Sequence, residues 1–277
     1  MIPLRELEGA RALVTGAGSL APGIGNGRAA AILLARAGAR VALVDLSADA
    51  ARQTRDLIEE EGGDALVVPA DVGDPANVQR AVATVADRFG GVDILVNNVG
   101  VAGPPGTAVD VDVGAWRLAL HVNVTSMMLL AKHVVPHMAR AGGGAVVNVS
   151  SIAALGGGHP TLLYPTAKGA IVSMTKAMAA HHGPQGIRVN CVAPGLVLTP
   201  MVQSRGMSDE LREARRLAAP LETEGTGWDV GEAVLYLAGP RGRWVTGVVL
   251  PVDGGITATL PIRTPPRPSR TPAEQPA

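Results

Sequence analysis

The chain has 277 residues, of which 47% are hydrophobic and only 2% aromatic. It is long and apolar enough to bury a core, which excludes a disordered chain, and that core must be packed with Val, Ala, Leu and Ile rather than rings. Its 24 basic residues balance 24 acidic ones, so no positive surplus exists to neutralise phosphates, and nucleic acid is excluded as the main partner.

Cys191 is the only cysteine, so no intrachain disulfide is possible and a reducing compartment fits. Arg5, Glu6 and Glu8 interrupt the N-terminus, which does not read as a signal peptide. No stretch approaches the roughly 20 uninterrupted apolar residues of a membrane helix. A soluble, cytoplasmic protein with no membrane partner is expected.

In chain order, short Val-rich runs at Arg11–Thr15, Arg40–Asp45, Ala65–Ala70, Asp93–Asn97, Ala145–Ser150, Ile187–Ala193 and Gly247–Val252 read as strands. They are apolar on consecutive positions, as strands buried on both faces are. Between them, Ala-, Leu- and Arg-rich stretches predict helices at about Asn26–Ala37, Ala48–Glu61, Pro75–Phe89, Val113–Ala141, Tyr164–His182 and Asp229–Ala238. This alternation implies an α/β fold, a single doubly wound Rossmann domain with a seven-stranded parallel sheet. The domain is expected to span residues 1–258. Residues 259–277, with six prolines and no apolar period, read as a disordered tail.

The first strand runs into Thr15-Gly16-Ala17-Gly18-Ser19-Leu20-Ala21-Pro22-Gly23-Ile24-Gly25-Asn26-Gly27. A glycine-rich turn from strand to helix is where a dinucleotide pyrophosphate sits, because glycines admit the phosphate and the helix end offers free N–H groups. Two registers compete. Gly16-x-Gly18-x-x-Ala21 fits the general fingerprint, but Pro22 and Gly23 break the helix it should open. Gly25-x-Gly27 leads directly into a helical pattern, which makes Gly25 and Asn26 the expected helix start and Gly16 the strand-end turn. Asp45 ends the second strand 20 residues beyond Gly25. A carboxylate there accepts the adenosine ribose hydroxyls and repels a 2′-phosphate. Leu46 and Ser47 follow it and supply no basic side chain, so NAD is the expected cofactor, with an NADP(H)-preferring reductase as the alternative.

Tyr164 and Lys168 are four residues apart, on one face of a helix. A phenol with a pKa of about 10 is a poor base at neutral pH, and a nearby ammonium favours its ionised form. Ser151, 13 residues before Tyr164, falls just past a strand end, where its hydroxyl can bond a substrate oxygen.

From about Leu7 to Ala258 the chain resembles the classical short-chain dehydrogenases/reductases. Thr15-Gly16 with Gly25-Asn26-Gly27 resembles the family's TGxxxGxG turn, five residues longer here between its glycines. Asp71-Val72 is similar to the pair flanking the adenine, and Asn97-Asn98-Val99-Gly100 to the NNAG motif, with Val for Ala. Trp116 and Asn123 match the long-helix pattern, Asn148-Val149-Ser150-Ser151 the end of strand five, and Tyr164-Pro165-Thr166-Ala167-Lys168 the YxxxK motif. Asn190 to Gly195 and Val252-Asp253-Gly254-Gly255 close the ordered set.

The resemblance implies an oxidoreductase that interconverts a secondary alcohol and a ketone, on a small-molecule substrate. It implies that Tyr164 exchanges the proton, that Lys168 also holds the nicotinamide ribose, and that Asn123 binds a water linking Lys168 to solvent. It also implies cofactor contacts from Gly16, Gly25, Asn26, Asp45, Asp71, Val72, Asn98, Gly100, Tyr164, Lys168, Pro194, Val197 and Thr199. His159 lies in the segment that borders the substrate in this family. A non-catalytic NAD-binding sensor, or an isomerase or dehydratase using the nicotinamide transiently, are the other classes; the intact Ser, Tyr, Lys and Asn set and the lack of a larger C-terminal substrate domain count against them.

No metal site is expected. His133 and His137 share a helix face without an acidic or cysteine partner, His181-His182 reads as a helix-end pair, and Cys191 as a buried apolar residue. The substrate-covering segment, about Thr199 to Thr226, mixes Met201, Val202, Met207 and Leu211 with Arg205, Arg212, Arg215 and Arg216. Met127, Met128, Leu129, Leu130, Val134, Val135, Ile171, Val172 and Met174 on the two long helices exceed what one sheet face is expected to cover. Members of the family commonly pack these helices against a symmetry mate, so a homotetramer is expected, with a dimer as the alternative.

Overall fold

A computed structural model describes residues 5–19, 21–204 and 206–259. The expected tail, from residue 260 on, lies outside the described residues, as do Leu20 and Arg205.

The seven expected strands are present as β1 (Arg11–Thr15), β2 (Arg40–Asp45), β3 (Asp64–Pro69), β4 (Ile94–Asn97), β5 (Gly144–Val149), β6 (Ile187–Pro194) and β7 (Val249–Val252). They form one parallel sheet in the order β3-β2-β1-β4-β5-β6-β7. The helices are α1 (Asn26–Arg36), α2 (Ala48–Glu60), α3 (Pro75–Phe89), α4 (Val113–Leu120), α5 (Ser126–Arg140), α6 (Leu163–His182), α7 (Pro200–Gln203), α8 (Asp209–Leu217) and α9 (Gly227–Ala238).

Strand residues alternate between the two faces, and both faces are covered. Ala12, Val14, Val41, Leu43, Ile94 and Val96 pack under α1, α2 and α9. Leu13, Ala42, Val44, Leu95, Val146 and Val189 pack under α3 and α5. Leu13, Leu43 and Leu95 are fully buried, each contributing about 2 kcal/mol of apolar transfer. This double burial is why the strands lack a polar face in sequence. The chain winds outward in both directions from β1 and β4, so the crevice at their carboxyl ends is the topological switch point where ligands bind in such sheets. Helix α9 lies on the same face as α1 although it crosses between β6 and β7 in the direction opposite to α1. That connection has the opposite hand to the others, an exception to the right-handed rule.

Two departures from the sequence expectation matter for the site. The single helix expected over Val113–Ala141 is interrupted by a π-helical turn at His121–Thr125. Such wide turns recur at functional sites, and this one carries Asn123. The combined helix Val113–Arg140 is long and apolar enough to cross a membrane by length and composition, yet half of its most apolar window is buried in this chain. The second departure is α7 and α8, short helices within the segment after β6.

Candidate active site

At the crevice, Gly16 ends β1 with φ +62°, and its N–H donates to the Val44 carbonyl at 2.8 Å. Helix α1 opens at Asn26 with Gly25 as its N-cap, with no capping side chain and no acid in the first turn. By contrast Ser47, Asp74 and Asp112 cap α2, α3 and α4. The N-terminus of α1 is thus left to a ligand. A Cβ on Gly27 would stand 2.1 Å from the Gly16 carbonyl oxygen, so this glycine lets α1 press against the end of β1. The structure therefore selects the Gly25-x-Gly27 register. Asn26 Oδ1 is buried without a hydrogen-bond partner among the described residues, and a bound group with a hydroxyl or water at this helix end would satisfy it. The loop residues present fit a dinucleotide.

Asn98 braces the same turn. Its side-chain amide donates to the Gly16 carbonyl at 3.0 Å, and its backbone N–H donates to Thr15 Oγ1 at 3.1 Å. Asp45 stands at the end of β2, with Oδ2 accepting the Gly18 N–H at 2.9 Å and Oδ1 the Ser47 N–H at 3.0 Å. The carboxylate is oriented and keeps further lone pairs for hydroxyl donors. Asp71 is exposed and accepts the Gly73 N–H at 2.8 Å, beside the buried Val72. Pro194 ends β6, Val197 is buried and Thr199 precedes α7.

Tyr164 and Lys168 sit on the first turns of α6. The Lys168 amine lies 5.7 Å from the Tyr164 ring centroid and donates to the Val149 carbonyl at 3.2 Å. Lys168 is only 4% exposed, and desolvation pushes its pKa down to about 8. Gly100 makes room for this arrangement, since a Cβ there would lie 2.9 Å from Asn123 Oδ1 and 3.1 Å from Lys168 Nζ. Asn123 donates to the Ala119 and Val101 carbonyls at 2.8 and 3.0 Å and accepts the Val101 N–H at 3.1 Å. Both amide hydrogens are thus used to fix the chain around Gly100, so a water relay here would not draw on them.

Ser151 leaves β5 in an extended conformation, and its Oγ accepts the Ala153 N–H at 3.2 Å, which leaves its O–H to donate. The adjacent Ser150 donates to the Lys168 carbonyl at 2.8 Å and so ties this strand end to α6. His159 stacks on Tyr164, ring centroids 4.9 Å apart and 25° from parallel.

Several side-chain interactions that shape the site were not singled out in the sequence. Asn97 donates to Asn148 at 2.9 Å, Asn148 to Thr175 at 3.0 Å, and Thr175 to the Ile171 carbonyl at 2.8 Å. This buried chain sets the depth of α6 against β4 and β5. Arg28 and Thr54, both buried, hold the glycine loop. Their signal in sequence is a polar residue at a core position of a helical pattern, which costs free energy unless it is bonded.

A cavity of about 560 Å³ is lined by Val197, Arg215, Pro220, Glu224 and Val252 among others. It shares only Val197 with the expected cofactor contacts and lies apart from Ser151 and Tyr164. Among the described residues, no group of three or more His, Cys, Asp or Glu could hold a metal ion. His137 has Arg140 at 3.1 Å, and burial followed by that cation lowers its pKa. Burial pushes the Cys191 thiol up to about 11, which suits a core residue rather than a nucleophile.

A family model described as enoyl-(acyl carrier protein) reductase matches residues 20–257. The chain is 38% identical over 250 residues to 2-(R)-hydroxypropyl-CoM dehydrogenase of Xanthobacter autotrophicus, covering 89% of this chain and 98% of that protein. It is 38% identical over 247 residues to cis-4-hydroxycyclohexanecarboxylate dehydrogenase of Sinomonas cyclohexanicum, covering 89% and 96%. Among solved structures, a short-chain dehydrogenase/reductase from Burkholderia xenovorans superposes with a TM-score of 0.87 at 40% identity, over 92% of this chain and 99% of that one. A 7α-hydroxysteroid dehydrogenase complexed with NADH and 7-oxo glycochenodeoxycholic acid superposes with a TM-score of 0.84 at 34% identity, over 90% and 94%. The class to which fold and relatives point is the NAD(P)-dependent alcohol dehydrogenases and ketoreductases. The chain belongs to the short-chain dehydrogenase/reductase family.

Proposed function

We propose that the protein interconverts a secondary alcohol and a ketone with NAD(H), Tyr164 serving as the acid and base. The observation that carries this reading is the buried Lys168 amine 5.7 Å from the Tyr164 ring, a cation placed to favour the phenolate in a site shielded from water. In the oxidation direction Tyr164 takes the proton of the alcohol while Ser151 donates to the same oxygen. In reduction Tyr164 returns it. The bound nicotinamide accepts or supplies the hydride. Gly16, Gly25, Asn26, Asp45, Asp71, Val72, Asn98, Gly100, Pro194, Val197 and Thr199 are the residues proposed to hold the cofactor, together with Tyr164 and Lys168.

The preference for NAD is supported by Asp45, followed by Leu46 and Ser47, with both carboxylate oxygens held in place. A 2′-phosphate set against this carboxylate meets repulsion. The relatives named for 4-hydroxycyclohexanecarboxylate and 7-oxo glycochenodeoxycholic acid support starting from alcohols and ketones carried on organic acids.

A panel of such compounds, with simple secondary alcohols alongside, followed by NADH and NADPH absorbance, tests the reading. Turnover with NAD(H) at higher efficiency than with NADP(H) is expected, and Asp45→Ala should erode that preference by about tenfold or more. Higher wild-type efficiency with NADP(H) would overturn the reading of Asp45. We further propose a homotetramer, for which the exposed Leu118 and Met128 on the α4–α5 helix offer apolar contact.

A further inference from the structure

The glycine loop between β1 and α1 is longer than the family's usual turn, and lengthening a loop adds closure entropy and freedom. Here the loop is not left free. Arg28, on the first turn of α1, is 4% exposed and points away from solvent. Its Nη1 donates to the Gly23 carbonyl at 2.8 Å, and its Nε to Thr54 Oγ1 at 2.9 Å. Its Nη2 reaches the Ala50 carbonyl at 3.3 Å and Gln53 Oε1 at 3.2 Å. Thr54 in turn donates to the Ala17 carbonyl at 2.7 Å.

The loop is therefore fastened to α2 near both of its ends, at Ala17 and at Gly23. Between them Gly18 gives its N–H to Asp45, and a Cβ on Gly18 would meet Ala50 Cβ at 2.7 Å. On the far side, a Cβ on Gly23 would stand 3.1 Å from Pro200 in α7. The loop thus spans the crevice mouth from α2 to the segment that follows β6. A buried guanidinium bonded only to neutral acceptors is costly unless it fixes something. The nearest compensation is the through-space attraction of Asp45.

Resting on the dinucleotide reading above, we propose that Arg28 is a positioning residue of the cofactor site. It holds the lengthened loop against α2 in the shape that receives the pyrophosphate, and its charge stands behind Asp45. Lysine cannot replace it, because a single ammonium cannot span four acceptors arranged around a planar fork. Preorganisation of this kind is read in binding affinity, not in the chemical step.

The test is NADH titration by fluorescence on the full-length chain, with melting temperatures recorded in parallel. Arg28→Lys and Thr54→Val should each weaken NADH binding by about tenfold at temperatures where both variants are folded. Removing Gly18 through Pro22 shortens the loop to the family spacing, and in that background Arg28→Lys should cost no more than about twofold, because the added length held between the Ala17 and Gly23 fastenings is gone. Wild-type affinity in folded Arg28→Lys and Thr54→Val would overturn the assignment and leave Arg28 a purely structural residue. An undiminished Arg28→Lys loss in the shortened chain would overturn the loop as its route of action. Should Arg28→Lys fail to fold, Thr54→Val, nearly isosteric, decides alone. A wild-type chain that binds neither NADH nor NADPH would overturn the dinucleotide reading itself, an outcome distinct from both.

Discussion

Lys168 carries its charge where water does not reach, and its pKa of about 8 lies below the value it takes in an unfolded chain. Below that pH both states are protonated and the folded protein bears the full desolvation cost. As pH rises from 8 toward the unfolded value, the unfolded chain holds the proton that the folded one has released, so stability climbs. Lys168→Met should therefore be more stable than the wild type at pH 7 by about 1–3 kcal/mol, the lost bond to Val149 offsetting part of the gain. The difference should shrink in urea melts at pH 10, and a variant less stable at pH 7 would refute the argument. Tyr164→Phe isolates the chemistry instead. It keeps the ring that stacks on His159 and removes the proton, so turnover should fall about 10²–10⁴-fold while NADH still binds, weakened only by the lost hydroxyl contact, as stopped-flow and titration would show.

At the scale of elements, α1 presses directly on the backbone at the end of β1. Gly27→Ala places a methyl 2.1 Å from the Gly16 carbonyl and 2.4 Å from the Asn98 amide, and backbone cannot yield as a flexible side chain can. Helix α1 must withdraw, at a cost of about 2–4 kcal/mol and with NADH binding lost; a melt and a titration of the variant check both. The glycine that sets this distance was legible in sequence, as were β1, β2 and α3 to the residue, because continuous apolar runs bounded by Gly, Asp and Pro leave few alternatives. The π-helical turn was not. His121-Val122-Asn123-Val124-Thr125 continues the helical pattern on either side, and only the backbone of the folded chain shows the wider turn. Helix α8 was missed because none of its residues is buried, so no apolar period announces it, although Ser208 caps it. Arg28 and Thr175 were hidden for the opposite reason: each interrupts a core pattern, and a pattern does not say what its exceptions hold. The reversed hand of the α9 crossover left no mark in the sequence at all.

Of the apolar residues expected to seek a partner, Met127, Leu129, Leu130, Val134, Val135 and Ile171 are buried within one chain; the sheet takes them. Met128 stays exposed at 45%, beside Leu118 at 65% on the same helix, and Trp244 at 92% and Tyr236 at 40% are among the other large apolar residues exposed elsewhere. We propose that such exposed apolar residues supply two kinds of isologous contact, which together close a tetramer of dihedral symmetry. Light scattering at micromolar concentration should give four times the chain mass, and a monomer would exclude the proposal.

The strand order has a further consequence, in time rather than space. β1 lies between β2 and β4, so the first strand to be synthesised waits for residues 94–97 before both of its edges are paired. Every neighbouring pair in the sheet is parallel and every connection between strands is a crossover, with no hairpin to start from. Such pairings close long loops before they gain contacts, which makes for slow folding and a long exposure of strand edges. The nascent chain must live for some time with the strand that leads into its glycine loop half enclosed, its open edge a liability until β4 arrives.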